Sequence, residues 1–336
     1  MMLDRHVTLA HGNGGRRMRE LIELIFARHL ANPALDVRCD AAPLALQPGL
    51  IPFITTDSFT VQPLEFPGGD IGSLAVNGTV NDLAVSGAMP CFLTLNAIIE
   101  EGLELACLDR IVASLAAAAR EAGVVVVAGD TKVVPRGQGG GLYFVTTGVG
   151  LAQPGRKLGL DCIRSGDLVL VSGPVGDHGV AVMLAREQFE LSGSLRSDCA
   201  PVIGLTAPLA GLGGLRFMRD PTRGGLATVA HEIAFATGLT VRLAENAIPL
   251  RDSVRSFCQM LGFDPYYLAC EGRVVAVAAP EAAADILALW RSLPDGADAA
   301  LIGEIGGKPG QVILETEIGG ERFLDELEDD PLPRIC

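Results

Sequence analysis

The chain has 336 residues, 49% of them hydrophobic, and a formal net charge of −14 from 26 Lys and Arg against 40 Asp and Glu. That much apolar material buries a large core, and the length suits two domains rather than one. The acidic balance disfavours a nucleic-acid or anionic-membrane surface, because the basic residues are scattered rather than gathered into a patch, while acidic clusters suit divalent cations.

The opening stretch, "MMLDRHVTLAHGNGG", is charged and polar where a signal sequence would be apolar. No uncharged apolar run approaches the roughly 20 residues that cross a bilayer, so a cytoplasmic location is expected. In "HGNGGRRMRELIELIF", Asn13, Gly14 and Gly15 precede an amphipathic helix. Bare backbone N–H groups and the helix dipole can hold a phosphate there. The spacing matches neither GxGxxG nor Walker A, and an ordinary capped turn has the same composition.

Four β-like runs follow, "IPFITTD", "CFLTLNAIIE", "VVVVAGD" and "LYFVTTGVGLA", with helices expected at about 70–88 and 104–122 between them. The turn-rich "QPGRKLGLDCIRSGD" marks a domain boundary near residue 155. Beyond it "DLVLVSG", "TVRLAENAI", "GRVVAVAAP", "AALIGEIG" and "QVILETEIGG" read as strands, with helices at about 177–188, 224–237, 252–261 and 280–292. The expected architecture is therefore α/β (α+β), with residues 1–155 and 156–325 as two domains of similar size. Residues 326–336 form a tail in which Pro331 and Pro333 oppose a helix.

Three aspartates stand where chemistry is expected. Asp57 closes "FITTD", Asp82 follows Asn81 in "NGTVNDLAVSGAMP", and Asp130 precedes Thr131 after "VVVVAG". Carboxylates on loops at strand ends suit Mg²⁺, which keeps waters and takes one or two carboxylates plus phosphate oxygens, although each aspartate can equally cap a helix. Lys132 is placed to meet remaining phosphate charge or to face solvent. In the second half, Asp220 leads "DPTRGGL" and Glu271 stands in "CEGR" just before a strong β run. His231 reads as a satisfied helix residue with no role.

The eight cysteines (39, 91, 107, 162, 199, 258, 270 and 336) form no CxxC pair and no zinc spacing, so reduced thiols are expected. The last of them, Cys336, is the final residue of "DDPLPRIC", a poor position for core packing. By itself it is compatible with a frayed tail.

Taken in order, "TTD", "NGTVNDLAVSGAMP", "AGDTKVV", "DPTRGGL" and "CEGR" resemble the ATP-binding superfamily of aminoimidazole ribonucleotide synthetase, which also holds selenophosphate synthetase and thiamine-phosphate kinase. With "HGNGG" and the terminal "PRIC", the chain is most similar to the branch of carbamoyl dehydratases that serve [NiFe]-hydrogenase maturation. The resemblance implies an N-terminal domain whose sheet pairs across a homodimer, and ATP with Mg²⁺ between the two domains. It places nucleotide contacts on Asn13, Gly14, Gly15, Asp57, Asn81, Asp82, Asp130 and Thr131, and metal ligands on Asp57, Asp82, Asp130 and Asp220. Cys336, Glu271 and Lys132 would carry the catalysis. The thiol of Cys336 would receive a carbamoyl group from the carbamoyltransferase HypF. ATP would drive its dehydration to a thiocyanate, with Glu271 the first candidate for the base and Asp82 the second, and the cyanide would pass to a HypC–HypD complex. Cys270 stands where a small polar residue is expected. The competing expectations are a small-molecule enzyme of the same superfamily and a non-catalytic metallochaperone: a selenophosphate synthetase is expected to carry a reactive Cys or selenocysteine near the glycine arm, where "HGNGG" has none, a thiamine-phosphate kinase or ribonucleotide cyclase has no use for a terminal thiol, and for a metallochaperone the sequence offers only isolated thiols.

Overall fold

The computed structural model describes residues 5–39, 41–155, 157–186 and 193–327. Cys336 and the prolines before it lie outside the described residues. The chain divides into two compact units: one takes in the residues up to Leu83 and Ala88–Pro154, the other Ala84–Gly87 and the residues from Gly155 on.

The strands of the first unit are β1 (Ile51–Phe59), the two-residue pair β2 (Glu65–Phe66) and β3 (Gly69–Asp70), then β4 (Met89–Glu100), β5 (Val125–Val134) and β6 (Leu142–Ala152). The four long ones form a sheet in the order β1-β6-β4-β5, antiparallel except for the β4–β5 pair. In β4 the alternation is plain: Leu93, Leu95, Ala97 and Ile99 are buried, whereas Thr94, Asn96 and Ile98 between them are more open. Strand side chains point alternately to the two faces, so every second residue meets the covering helices. One of these is Ile71–Val85, whose Ala75 carbonyl accepts from the Thr146 hydroxyl of β6 at 3.2 Å. The other, Leu105–Glu121, turns its buried Leu108, Ile111, Val112 and Leu115 inward at the spacing of one helix face. The opposite face of the sheet stays open: Ile54 is 74% exposed, and the register aligns it with Val149 and Phe92.

Both expected strand ends move. The sequence pattern ends the "TTD" and "AGD" runs at the carboxylates, yet β1 continues two residues past Asp57 and β5 four past Asp130. Aspartate is disfavoured in a sheet interior. Here β1 and β5 are the two edge strands, where a charged side chain is tolerated and discourages stray pairing.

The second unit holds β7 (Leu168–Val171), β8 (Leu215–Arg219), β9 (Val241–Ala244), β10 (Val275–Ala278), β11 (Ala300–Ile305), β12 (Val312–Glu315) and β13 (Glu321–Phe323). They form one sheet in the order β13-β12-β9-β11-β7-β10-β8, in which only β9 and β12 run parallel. Its middle is covered on both faces. Val275 and Val277 of β10 join a core with Phe217, Leu226 and Ile233, while Ala276 and Ala278 join another with Met218, Ile286 and Trp290. Burial on both sides is why "VVAVAA" is unbroken by polar residues. The helices here are Asp177–Ala185, Gly225–Thr237, Asp252–Leu261 and Pro280–Arg291. Strand β8 ("LRFMR") has no counterpart in the sequence reading.

The last described residues are fastened: His231 Nε2 lies 2.8 Å from the carbonyl of Leu324, and the Tyr267 hydroxyl donates to that of Asp325 at 2.7 Å. A carbonyl only accepts, so Nε2 carries the proton, and His231 is the satisfied helix histidine that its position suggested. Cys258 and Cys270 are buried, and burial pushes their thiols upward, Cys258 to about 12. The Cys270 sulfur accepts from the Gly176 amide at 3.2 Å, a core contact for the residue that stood out beside Glu271.

Candidate active site

The glycine arm lies against β5. A Cβ on Gly12 would stand 2.8 Å from the Val133 Cβ, so glycine is what allows this approach. Asn13 closes the turn by accepting the Gly15 amide on Oδ1 at 3.0 Å, and Gly14 takes the left-handed φ of +79° that glycine adopts without strain. Gly15 then caps the helix Arg16–Leu21, which runs on through a π-helical turn, Ile22–Ala27. Between this helical run, residues 33–39 and 41–43, and β5 is a cavity of about 760 Å³, lined by Met18, Ile22, Phe26, Asp130 and Thr131 among others. That is the size of a small-molecule site, lined mostly by apolar residues with a few polar ones among them.

Asp130 is exposed on β5, and its Oδ1 accepts the Thr131 amide at 2.8 Å. Asp57 does the same with the Ser58 amide at 2.9 Å. The Thr131 side chain turns to the buried side, while Lys132, like Asp130, is exposed on the open face. Asp82 belongs to the helix Ile71–Val85, not to a loop, and accepts the Thr55 hydroxyl at 2.8 Å. Thr55 and Asp57 share a face of β1, so Asp57 and Asp82 stand on the helix-covered side, with Asn81 buried beside Asp82. Register puts Asp130 on the other face: it pairs with Asn96, and Asp57 aligns with Thr146 and Leu95. With two strands between β1 and β5, the edges are roughly 14 Å apart. One copy of the chain therefore does not bring these three aspartates to one point. Among the described residues no three His, Cys, Asp or Glu side chains form a ready-made metal cage.

In the second unit Asp220 and Glu271 do come to one place. Asp220 follows β8 and Glu271 precedes β10, and these strands pair antiparallel with Val275 opposite Arg219. The Cys270 amide donates to the Pro221 carbonyl at 3.0 Å, fastening the two loops side by side. Both carboxylate residues are buried, Asp220 to 5% and Glu271 to 3% exposure. The corner depends on Gly225, whose φ is +59° and whose Cβ would stand 2.5 Å from the Leu268 carbonyl oxygen.

A charge cluster near Glu271 went unread in the sequence. Asp177 accepts from Arg251 Nε at 2.8 Å and faces Arg273 at 3.9 Å, and a cavity of about 540 Å³ adjoins them. The signal available was "GDHG", a glycine and an acid ahead of an apolar helix. Within it His178 is wholly buried, 2.8 Å from the Ser197 hydroxyl, and burial lowers its pKa to about 4 against the opposing charge of Asp198. The unfolded chain takes up this proton near pH 6.5, the folded chain only near 4. Stability contributed by the neutral imidazole is therefore lost as pH falls from about 6.5 to 4, by about 3 kcal/mol in all, and levels off below that. Asp177 shifts upward through burial and acts in the opposite sense, but it is common to both proteins in the comparison. Urea unfolding at pH 7 and 4.5 is expected to show a steeper acid loss in the wild type than in His178→Gln.

Residues 39–152 match the N-terminal domain of the AIR synthase related proteins and residues 164–315 their C-terminal domain. A carbamoyl dehydratase HypE of Azotobacter vinelandii is 48% identical over 332 residues, covering 98% of this chain and 97% of that protein. The crystal structure of a hydrogenase maturation protein HypE in complex with ATP superposes with a TM-score of 0.93 at 44% identity, covering 98% of this chain and 99% of the other. A chain of a crystallised HypE–HypF complex superposes with a TM-score of 0.80 at 44% identity, covering 91% of this chain and 99% of the other.

Proposed function

The chain belongs to the AIR synthase related family and, within it, to the HypE carbamoyl dehydratases, and from this premise we propose that it dehydrates an S-carbamoyl group on its own Cys336 at the expense of ATP. It is an enzyme of hydrogenase maturation. The observation that carries the reading is that the likeness to a carbamoyl dehydratase runs through 98% of the chain at 48% identity. A small-molecule kinase or synthetase of the same fold, or a metallochaperone, would not account for that full-length match.

The carbamoyl oxygen is a poor leaving group. Transfer of the γ-phosphoryl group of ATP to it turns departing hydroxide into departing phosphate; the C–O bond breaks, nitrogen sheds both protons, and a thiocyanate remains with ADP and phosphate. Such a transfer is governed by positioning and by neutralisation of phosphate charge. Asn13, Gly14 and Gly15, together with Asp130 and Thr131 at the cavity, meet the nucleotide in this reading; the Gly14 and Gly15 amides, which here donate to Met18 Sδ at 3.2 Å and Asn13 Oδ1 at 3.0 Å, would exchange those partners for phosphate oxygens, and Lys132 offsets the phosphate charge. Glu271 takes the protons from nitrogen; Asp82 is the second choice.

Asp57, Asp82, Asp130 and Asp220 offer hard carboxylate oxygens, the donor type that Mg²⁺ takes, and the ion needs only one or two of them besides phosphate. Held by one or two of these carboxylates together with phosphate, since within one copy Asp57 and Asp82 stand on the opposite face of the sheet from Asp130, it would supply positive charge to the phosphate oxygens.

HypF is the donor in this reading and a HypC–HypD complex the acceptor of the cyanide, in the cytoplasm. No helix among the described residues is long and apolar enough to cross a membrane. The test is intact mass of the carbamoylated chain after ATP and Mg²⁺ are added: loss of one water with one phosphate released per chain supports the dehydration, and loss of ammonia or of the whole carbamoyl group overturns it.

The open sheet face bears on assembly. Ile54 and Met89 are 74% and 49% exposed, and the register sets Val149 and Phe92 beside Ile54 on the same face, an apolar patch that reaches the β1 edge of the sheet. Such a patch marks an interaction surface, and pairing with a second copy closes the sheet into a barrel. Ile54→Lys is expected to convert a homodimer to monomers by light scattering at micromolar concentration; a wild-type monomer under those conditions removes the assembly.

A further inference from the structure

Asp198 precedes Glu271 by 73 positions in the chain and lies beside it in space. Its side chain is 1% exposed. Oδ1 accepts the backbone N–H of Glu271 at 3.2 Å, and Oδ2 accepts that of Gly272 at 3.3 Å. From the same segment the Ala200 amide donates to the Glu271 carbonyl at 3.4 Å. The peptide groups on both sides of Glu271 are thus held by one short stretch of chain. Contact is so close that a Cβ on Gly272 would lie 1.9 Å from the Asp198 carbonyl oxygen.

The clamp is itself braced. Arg273 Nε stands 3.6 Å from Asp198 Oδ2 and donates to the Pro174 carbonyl at 3.1 Å, while Nη1 donates to that of Asp295 at 3.2 Å. Arg273 also faces Asp177, which Arg251 pairs at 2.8 Å. A buried carboxylate is costly unless paired and hydrogen-bonded, and here two amides and a guanidinium satisfy it.

We propose that Asp198 is a positioning residue for the dehydration: by clamping the amides of residues 271 and 272 it sets the direction in which the Glu271 carboxylate enters the site. The inference rests on the reading of Glu271 as the base. Only a carboxylate accepts on both oxygens. Asn at this position keeps the shape but turns an NH₂ toward one of the two N–H groups, so one arm of the clamp becomes a donor facing a donor. A displacement of about 1 Å in a reacting group is enough to cost roughly 100-fold.

The experiment is single-turnover phosphate release from the S-carbamoylated full-length chain, in wild type, Asp198→Asn, Glu271→Gln and the double variant. Asp198→Asn is expected to release phosphate roughly 10- to 100-fold more slowly at near-normal ATP affinity. The double variant is expected to be no slower than Glu271→Gln, because a residue acting only through another costs nothing once that other is gone. A wild-type rate in Asp198→Asn overturns the inference, as does an Asp198 effect that multiplies in full onto Glu271→Gln. A wild-type rate in Glu271→Gln instead removes the base assignment, and the inference falls with it. Should Asp198→Asn lose ATP binding, Asp198→Glu retains two acceptor oxygens and is expected to recover ATP binding and part of the rate; failure to recover either overturns the proposal.

Discussion

Cys336→Ala is expected to bind ATP with near-normal affinity and to release no phosphate in dehydration. The groups proposed to meet the nucleotide, Asn13 to Gly15 with Asp130 and Thr131, sit on folded elements of the first unit, hundreds of positions away in the chain for the arm. The substitution removes only the sulfur that carries the carbamoyl group, so it removes the substrate and leaves the site. Paired measurements decide it: ATP affinity by calorimetry, and phosphate release after treatment with the carbamoyl donor. Equal release from wild type and variant would mean that the terminal thiol is not the carrier.

Asp82→Asn and Asp130→Asn are expected to fold and to lose activity by roughly 100-fold or more each, the scale seen when a group that stabilises developing charge is removed. Both keep their shape and a carbonyl acceptor. In Asp82→Asn the amide oxygen can still accept the Thr55 hydroxyl that now lies 2.8 Å from Oδ2. In Asp130→Asn it can still accept the Thr131 amide at 2.8 Å. Asp130 is exposed, so its stability change is expected within about 0.5 kcal/mol. The loss is then one of charge toward metal and phosphate, visible as a Mg²⁺ requirement that rises while the melting temperature holds. Wild-type turnover in both variants would make the two residues local hydrogen-bond acceptors and nothing more.

Where local rules govern, the sequence was a good guide. Alternating burial made β4 and β6 readable, and an unbroken apolar run made β10 readable, because side-chain period and two-sided burial are written in adjacent residues. Asp57 and Asp130 misled the reading of strand ends: a carboxylate suggests a loop, and only the sheet order reveals that both lie on edge strands. Strand β8 was missed because five residues with arginines at two positions show no clean period outside their pairing with β10. Asp220 and Glu271 were found one at a time, but their meeting depends on the Cys270–Pro221 hydrogen bond between distant segments. Asp198 left no local trace at all. Its partners are backbone amides, which every residue but proline has, so nothing in "RSDCAP" distinguishes it.

The buried thiols bear on how the chemistry is read out. Seven cysteines among the described residues stand outside any disulfide, and each is a site for a stray adduct. Burial holds Cys258 and Cys270 in the thiol form, and partial burial raises Cys91 and Cys107 as well. Since the thiolate is the reactive species, these four are slow toward electrophiles at neutral pH. Labelling background thus falls mainly on the exposed Cys39 and the half-buried Cys162 and Cys199. A chain with those three changed to Ser and the rest untouched is the reagent of choice for stoichiometry, since a single mass increment can then be assigned without peptide mapping.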